Sequence, residues 1–278
     1  MRVKRFVDPG EFLAASAWIA SRGESSASIS RSIAYALERS QVRAEETIYL
    51  ATCGRAGVAV RRGHGPVVLG QSDEAAAEAF ADDLAGEMPG LSGVVGALRA
   101  CEAFARRWHR RTGREGTLCR HMRQHVLAKV AEVPDVPGAS RIAQESELRV
   151  LVDAQRAFVA EVGLSDPPAR IRASLLRRVA RGEIRVWDDQ GPAAYAGFIE
   201  AAPALARIAP VYTWPARRRR GYGTALVAAL SRELMAQGKE RLFLTTDAAN
   251  PTPNAMYARI GFVPETDEYQ FDFVEVGR

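Results

Sequence analysis

Cysteine is scarce in this chain: Cys53, Cys101 and Cys119 are the only three in 278 residues. An odd count without metal-ligand spacing excludes a disulfide framework and a cysteine zinc site. Histidine is as rare. His121 and His125 stand four residues apart, but no carboxylate or cysteine accompanies them in a ligand pattern, so no metal is expected. No long apolar run, secretory leader or lipidation motif is present, so a cytoplasmic protein without a membrane partner is expected. Two common nucleotide signatures are missing as well. No lysine follows Gly223, which excludes a P-loop, and Leu226 stands where a dinucleotide fingerprint needs its third glycine.

What is present near the C-terminal third is a run of arginines, Arg217 to Arg220, leading into Gly221-Tyr222-Gly223-Thr224. Before it, Arg207 to Thr213 is β-branched and apolar towards its end, and Pro215 stops a strand there because proline cannot donate to a ladder. After it, Leu226, Val227, Leu230, Leu234 and Met235 recur at helical spacing until Gly238. The order is strand, basic turn, helix mouth. Two glycines let a ligand approach the main chain, and the free N–H groups of a first helical turn favour an anion. A diphosphate suits this arrangement better than a lone carboxylate. A solvated basic face is the competing reading.

Arg218-Arg219-Arg220-Gly221-Tyr222-Gly223 matches Arg/Gln-x-x-Gly-x-Gly/Ala, and here the chain resembles the GNAT superfamily of acetyl-CoA-dependent acyltransferases. A second landmark supports the resemblance. Asn250-Pro251-Thr252-Pro253-Asn254-Ala255-Met256-Tyr257, continuing to Gly261-Phe262, is similar to the family's Asn-x-x-Ala-x-x-Leu-Tyr-x-x-x-Gly-Phe signature, with Pro253 for alanine and Met256 for leucine. The resemblance covers about residues 138 to 278. It implies that Arg218, Arg219, Arg220, Gly221, Tyr222, Gly223 and Thr224 wrap the diphosphate of acetyl-CoA. It further implies that Val211, Tyr212 and Thr213 face its pantetheine arm, that Asn250 and Asn254 border the site, and that Tyr257 protonates the departing thiolate. Read from the residues alone, Asn250 is a helix cap and Tyr257 a half-buried aromatic.

Acyl transfer from a thioester needs a neutral nucleophile, a stabilised oxyanion and a proton for the leaving sulfur. An α-amino group costs about 1.4 kcal/mol to deprotonate at pH 7 and a lysine amine about 4.6 kcal/mol, so a lysine acceptor gains more from a carboxylate base. Glu200 and Asp247, each at a strand end, are the candidates, and each also reads as a solvated end or cap.

Around these motifs the patterns predict strands at Ser140–Ala143, Ile184–Trp187, Ala193–Glu200, Arg241–Thr246 and Tyr269–Val276, with helices over Glu145–Val162 and Arg170–Arg181. The expected fold class is α/β with a mixed sheet, a GNAT fold in the C-terminal half. The length favours two domains: 1–130, a proline-rich linker at 131–139, and a catalytic domain at 140–278. The first half repeats the order in outline, with strands at Ile48–Thr52, Val58–Val60, Pro66–Leu69 and Met122–Val130 and helices at Asp73–Leu84 and Ala97–Arg111. It is expected to be a degenerate GNAT-like domain in a tandem architecture. Its would-be glycine loop, Val68 to Glu74, carries acids where a diphosphate would sit, so no coenzyme A is expected there. Shaping an acceptor cleft, forming a homodimer or burying one side of the catalytic domain are its open roles.

The net charge of +5 suits an anionic cosubstrate without identifying a partner. Arg106 to Arg111 reads as a solvated helix face around a buried Trp108, which disfavours nucleic acid as a partner. Two functions follow. The first is N-acetyl transfer from acetyl-CoA to a small-molecule or peptide amine, with Tyr257 as general acid; the second is a non-catalytic acyl-CoA-binding sensor or scaffold. The acceptor itself is not legible.

Overall fold

The structure is a computed structural model and describes residues 1–22, 28–39, 47–164 and 166–275. The N-terminal half opens with a short strand Lys4–Arg5 (β1) and helices Pro9–Ala15 (α1) and Ser28–Arg39 (α2). Strands Ile48–Thr52 (β2), Val58–Arg62 (β3) and Val67–Gly70 (β4) form a meander. Helix Glu74–Ala85 (α3), strand Gly93–Gly96 (β5), helix Leu98–Thr112 (α4) and the long strand Glu115–Leu127 (β6) follow.

The C-terminal half repeats this sequence of elements. Strand Ala139–Ile142 (β7) leads into helices Leu148–Glu161 (α5) and Pro168–Ala180 (α6). Strands Ile184–Asp188 (β8), Pro192–Ala202 (β9) and Leu205–Thr213 (β10) form the second meander. Helix Tyr222–Ala236 (α7), strand Arg241–Asp247 (β11), helix Pro251–Ile260 (α8) and strand Val263–Val274 (β12) complete the chain.

All twelve strands join one sheet in the order β1-β2-β3-β4-β5-β12-β6-β11-β10-β9-β8-β7. The centre of that order is an exchange. β12 lies between β5 and β6, antiparallel to both, so the last strand of the second half fills a slot in the first. β6 in turn lies between β12 and β11, with Leu127 opposite Leu242 and Met122 opposite Asp247. Each half thereby closes the other's sheet edge, where an unpaired row of N–H and C=O groups would otherwise face solvent. The cores record the same exchange. Phe271 and Phe273 of β12 pack with Phe80, Phe104 and Trp108 of the first half, while Leu127 of β6 packs with Leu226, Leu244 and Phe262 of the second.

Local chemistry explains most element ends. Asp73 caps α3 through its carboxylate, accepting the Ala76 N–H at 2.8 Å, and Asn250 caps α8, accepting from Thr252 at 3.2 Å. α4 and α8 both end at a left-handed glycine, Gly113 (φ 75°) and Gly261 (φ 106°). The connection between β6 and β7 has no helix or strand but is tied down: Trp187 Nε1 donates to the Pro137 carbonyl at 2.8 Å, and Ala131 N–H donates to the Ile260 carbonyl at 2.8 Å. The arginines of α4 run alongside the acids of α3. Arg107 makes two 2.7 Å hydrogen bonds to Asp82, while Arg106 and Arg110 stand 3.6 Å from Glu74 and Glu78.

Most expected elements are present, with shifted ends. β12 starts at Val263 rather than Tyr269, and β6 at Glu115 rather than Met122, because the early residues of both are polar and show no apolar alternation. The expected last residue of β12, Val276, lies outside the described residues. Helices α1 and α2 and the four-residue β5 (Gly-Val-Val-Gly) were not anticipated from pattern.

Candidate active site

The second half contains a split between two parallel strands. β10 and β11 pair over Leu205–Arg241, Ala206–Leu242 and Arg207–Phe243, and then stop. Ile208 to Thr213 and Leu244 to Asp247 continue as strand without pairing to each other. β10 stays with β9 on its other side, but slips by one residue between Ile208 and Val211, a bulge that turns β10 away from β11. The result is a wedge lined by main chain. Val211 is half-buried at its wall, in the same apolar cluster as Tyr257.

The mouth of α7 lies at the open end of that wedge. Gly221 has φ 83°, a conformation that an L side chain strains to adopt, and Arg219 beside it has φ 61°. No side chain caps α7, so its first-turn N–H groups have no intrahelical or capping partner. Gly223 sits against the end of β10: a Cβ there would meet Thr213 Oγ1 at 2.9 Å and Met256 Sδ at 3.5 Å. Lacking that carbon, buried Gly223 lets β10, α7 and α8 converge closely. Arg219 and Arg220 are exposed and make no ion pair among the described residues. These features suit a diphosphate, since an uncapped helix start and two unengaged guanidiniums offer donors to phosphate oxygens.

Other sequence-predicted residues are placed differently. Arg218 is already engaged: its Nη2 donates to both carboxylate oxygens of Glu161 at 2.8 and 2.9 Å, and its Nε to the Thr213 carbonyl at 3.0 Å. Tyr212 points to the opposite sheet face, packed with Tyr195 and Trp214, and Tyr222 hydrogen-bonds Asp189 at the β8–β9 turn. Both tyrosines can offer the wedge only main chain. Thr224 is half-buried in the first turn of α7. Asn250 is spent as the α8 cap. Asn254 braces the β11–α8 turn, its Nδ2 donating to the carbonyls of Asp247 and Ala248 at 3.3 and 3.2 Å.

Tyr257 lies on α8 beside the wedge, 8% exposed. Its hydroxyl has no hydrogen-bond partner among the described residues, and burial raises its pKa well above that of an ordinary phenol. The ring packs at 5.8 Å from Phe262 and 6.5 Å from His125. His125 is buried, its pKa lowered by burial, and its Nε2 lies 3.0 Å from Thr246 Oγ1. The Thr246 hydroxyl donates in turn to Asn254 Oδ1 at 2.6 Å. A neutral imidazole donating through Nε2 completes this relay, which locks β11, β6 and α8 around the tyrosine.

Residues 149–262 match the model of the acetyltransferase (GNAT) family. The C-terminal half of this chain carries a GNAT acetyltransferase domain. Solved structures extend the likeness in fold to the whole chain. A GCN5-related N-acetyltransferase from Sphaerobacter thermophilus superposes with a TM-score of 0.62 at 14% identity, covering 98% of this chain and 94% of that one. A tandem GNAT protein from the clavulanic acid biosynthesis pathway gives 0.59 at 15%, covering 100% and 99%. A GNAT-family acetyltransferase from Colwellia psychrerythraea gives 0.57 at 12%, covering 99% and 100%. No curated protein matches the chain. The architecture is therefore that of a tandem GNAT fold, and family and fold support acyl transfer, with acyl-CoA as the cosubstrate that members of the family use.

Within the GNAT domain, neither anticipated carboxylate is placed as a free base. Glu200 accepts from Lys239 Nζ at 2.8 Å and also pairs with Arg39. Asp247 is exposed and accepts the Ala249 N–H at 2.8 Å, closing its own turn. A third carboxylate, Glu268 of β12, was not anticipated. It is 3% exposed, its Oε2 has no hydrogen-bond partner among the described residues, and burial pushes its pKa up to about 7 against the opposing pull of Gln124 and Arg207. Its signal in the sequence was faint: one acid among several in a polar stretch, buried only because β12 enters the middle of the sheet.

The corresponding opening in the first half remains as a space of about 500 Å³ lined by Ser72, Asp73, Glu74, Ala97 and Arg99, but its helix start is capped and acidic. β4 and β5 pair only at Val67–Val94 and Val68–Val95. Beyond them Gly96 sits against β4, where an added Cβ would meet the Leu69 carbonyl at 2.9 Å. The mouth of α3 is filled by Asp73, its cap, and Ser72 Oγ donates to the Val58 carbonyl at 3.0 Å. Among the described residues, no helix is long and apolar enough to cross a membrane and no cluster of metal-binding side chains occurs.

Proposed function

We propose that this protein is an N-acetyltransferase that moves the acetyl group of acetyl-CoA to a primary amine by direct attack, using the wedge of residues 140–278 alone. The observation that carries this reading is the uncapped mouth of α7 at the end of the β10–β11 split, with a largely buried tyrosine beside it whose hydroxyl has no hydrogen-bond partner among the described residues. Arg219, Arg220 and the N–H groups of Gly221 to Thr224 hold the diphosphate. The free edge of β10 around Val211 offers main-chain hydrogen bonds to the pantetheine arm and to the carbonyl oxygen as it gains charge.

Tyr257 holds its proton through the physiological range because burial disfavours the phenolate. It therefore meets the departing sulfur as a hydrogen-bond donor, and the proton moves as the carbon–sulfur bond breaks and the carbon–nitrogen bond forms. Even for an ordinary phenol near 10 and a thiol near 8.5 this transfer is uphill by about 2 kcal/mol, and burial of the phenol adds to that, so the site must compensate by holding the hydroxyl close to the sulfur.

Release of free thiol from acetyl-CoA, followed across a panel of small amines and peptides, tests the reading. Turnover with at least one amine, reduced in Tyr257→Phe, is expected. Saturable acetyl-CoA binding with no turnover on any amine would instead make the chain an acyl-CoA-binding sensor or scaffold.

A further inference from the structure

Arg218 belongs to the basic turn before α7, but its guanidinium is held by the last residue of α5. Nη2 donates to both carboxylate oxygens of Glu161 at 2.8 and 2.9 Å, Nε donates to the Thr213 carbonyl at 3.0 Å, and the guanidinium lies 5.3 Å from the Tyr212 ring centroid. The Tyr212 hydroxyl in turn lies 3.4 Å from Glu161 Oε1. This pair borders the mouth of α7. Thr213, whose carbonyl holds Arg218, also places its Oγ1 2.9 Å from the Cβ position of Gly223 in the first turn of that helix.

The pair is open to exchange. The side chain of Arg218 is 40% exposed and that of Glu161 47%, and an ion pair in contact with water is worth up to about 1 kcal/mol. A diphosphate carries more negative charge than one carboxylate and accepts the same forked hydrogen bonds from a guanidinium. Before an anion arrives, the Glu161 carboxylate is a negative charge of the chain's own beside the mouth.

Glu161 also begins a strap across the wedge. The carbonyls of Val162 and Gly163, the next two residues, accept from Arg120 of β6, at 3.0 Å for Val162. β6 pairs with β11 on the side away from β10, and the His121 carbonyl beside Arg120 accepts the N–H of Ala248, just past the end of β11. Residues 161–163 therefore run from the β10 wall to the β6 side at the open end of the wedge. They lie on the sheet face to which Tyr212 points, opposite α7 and α8. One end is pinned by the basic turn and the other by a strand of the first half.

We propose that Glu161 competes with the diphosphate of acyl-CoA for Arg218, so that loading the cosubstrate unpins the strap at its β10 end. The inference rests on the acyl-CoA reading of the α7 mouth, and not on turnover. It gives the first half a part in the cycle: once Arg218 has changed partners, Arg120 alone holds the strap.

Four full-length proteins decide it: the wild type, Glu161→Gln, Arg218→Gln and the double variant, each titrated with acetyl-CoA by calorimetry. Glu161→Gln is expected to bind about 5-fold more tightly than wild type, the equivalent of about 1 kcal/mol. Arg218→Gln should bind at least 5-fold more weakly, and adding Glu161→Gln to it should change nothing further. Weaker or unchanged binding by Glu161→Gln overturns the proposal, because a carboxylate that merely positions Arg218 would help the ligand. Equal tightening in the Arg218→Gln background reduces Glu161 to charge repulsion and also overturns it. Hydrogen exchange reads the strap through the amides of Val162, Gly163 and Leu164, which donate to Phe158, Ala160 and Val159 carbonyls at 3.0, 3.1 and 2.9 Å. Acetyl-CoA should speed their exchange in the wild type by 3-fold or more, and Glu161→Gln should exchange fast without it. Slower or unchanged exchange on binding overturns the unpinning. If wild type and variants all fail to bind acetyl-CoA, the cosubstrate reading falls and this inference with it; wild-type binding that ignores Glu161 sinks the inference alone.

Discussion

The two halves contain the same pair of parallel strands, and the two openings they leave differ in length of free strand and in the helix start that faces them. In the second half β10 runs six residues past its last contact with β11, the bulge bends it away, and the helix that follows begins without a cap. In the first half β4 ends two residues after its last pairing with β5, Gly96 packs onto Leu69, and the helix start is closed by the carboxylate of Asp73. The helices behind the openings differ in the same sense. Four residues before the left-handed glycine, α8 carries the buried Tyr257 and α4 the exposed His109. A helix start binds an outside anion only if the chain has not supplied its own. The two halves share the order of elements, while a cap and a shorter free strand distinguish the mouth of the first.

The comparison breaks most visibly at the two helix positions. Tyr257→Phe is expected to lower kcat by about 100-fold with little change in KM, as loss of a general acid should, whereas His109→Phe leaves both unchanged; steady-state thiol release checks both. Glu268 lies on the exchanged strand, where the halves meet. Its pKa is raised from 4.5 to about 7, so the native state binds the extra proton between those values and stability falls as pH rises through that window. Glu268→Gln should therefore gain up to about 3 kcal/mol relative to wild type at pH 8 and nothing at pH 4, measured by denaturant unfolding at both.

Next in size are the exposed arginines. Arg219→Ala with Arg220→Ala should weaken acetyl-CoA binding by about 30-fold, taking roughly 1 kcal/mol for each solvent-screened charged hydrogen bond. Neutralising the other mouth with Asp73→Asn and Glu74→Gln should create no second site in the same titration. The smallest effect belongs to the cap itself: Asp73→Ala should cost about 1 kcal/mol of stability and leave turnover as it was.

Those contrasts were partly visible before any coordinates. The arginine–glycine turn and the asparagine–tyrosine helix are local signals, each confined to one strand–helix junction, and both junctions fold where the spacing put them. The acids at Asp73 and Glu74 likewise marked the closed mouth. Hidden from pattern were features made by distant partners. Arg218 read as a phosphate ligand because nothing nearby announced that Glu161 would take it. Asn254 read as a site residue although its amide serves the turn before its own helix. The exchange of β6 and β12 left no trace in periodicity, because each strand's polar half faces the other: Asp267 takes hydrogen bonds of 2.7 Å from Arg123 and 2.8 Å from His121 across that seam. The burial of Glu268 was invisible for the same reason, since it is assembled from elements far apart in sequence.

The central claim is that one half binds the cosubstrate and the other does not, and the number of acetyl-CoA molecules bound per chain tests it most directly. Titration calorimetry on the wild type should give one site. Gly223→Val, which places a side chain where Thr213 Oγ1 already stands, should abolish that site while leaving the fold intact by circular dichroism. Two sites per chain, or a single site that survives Gly223→Val, would contradict the account.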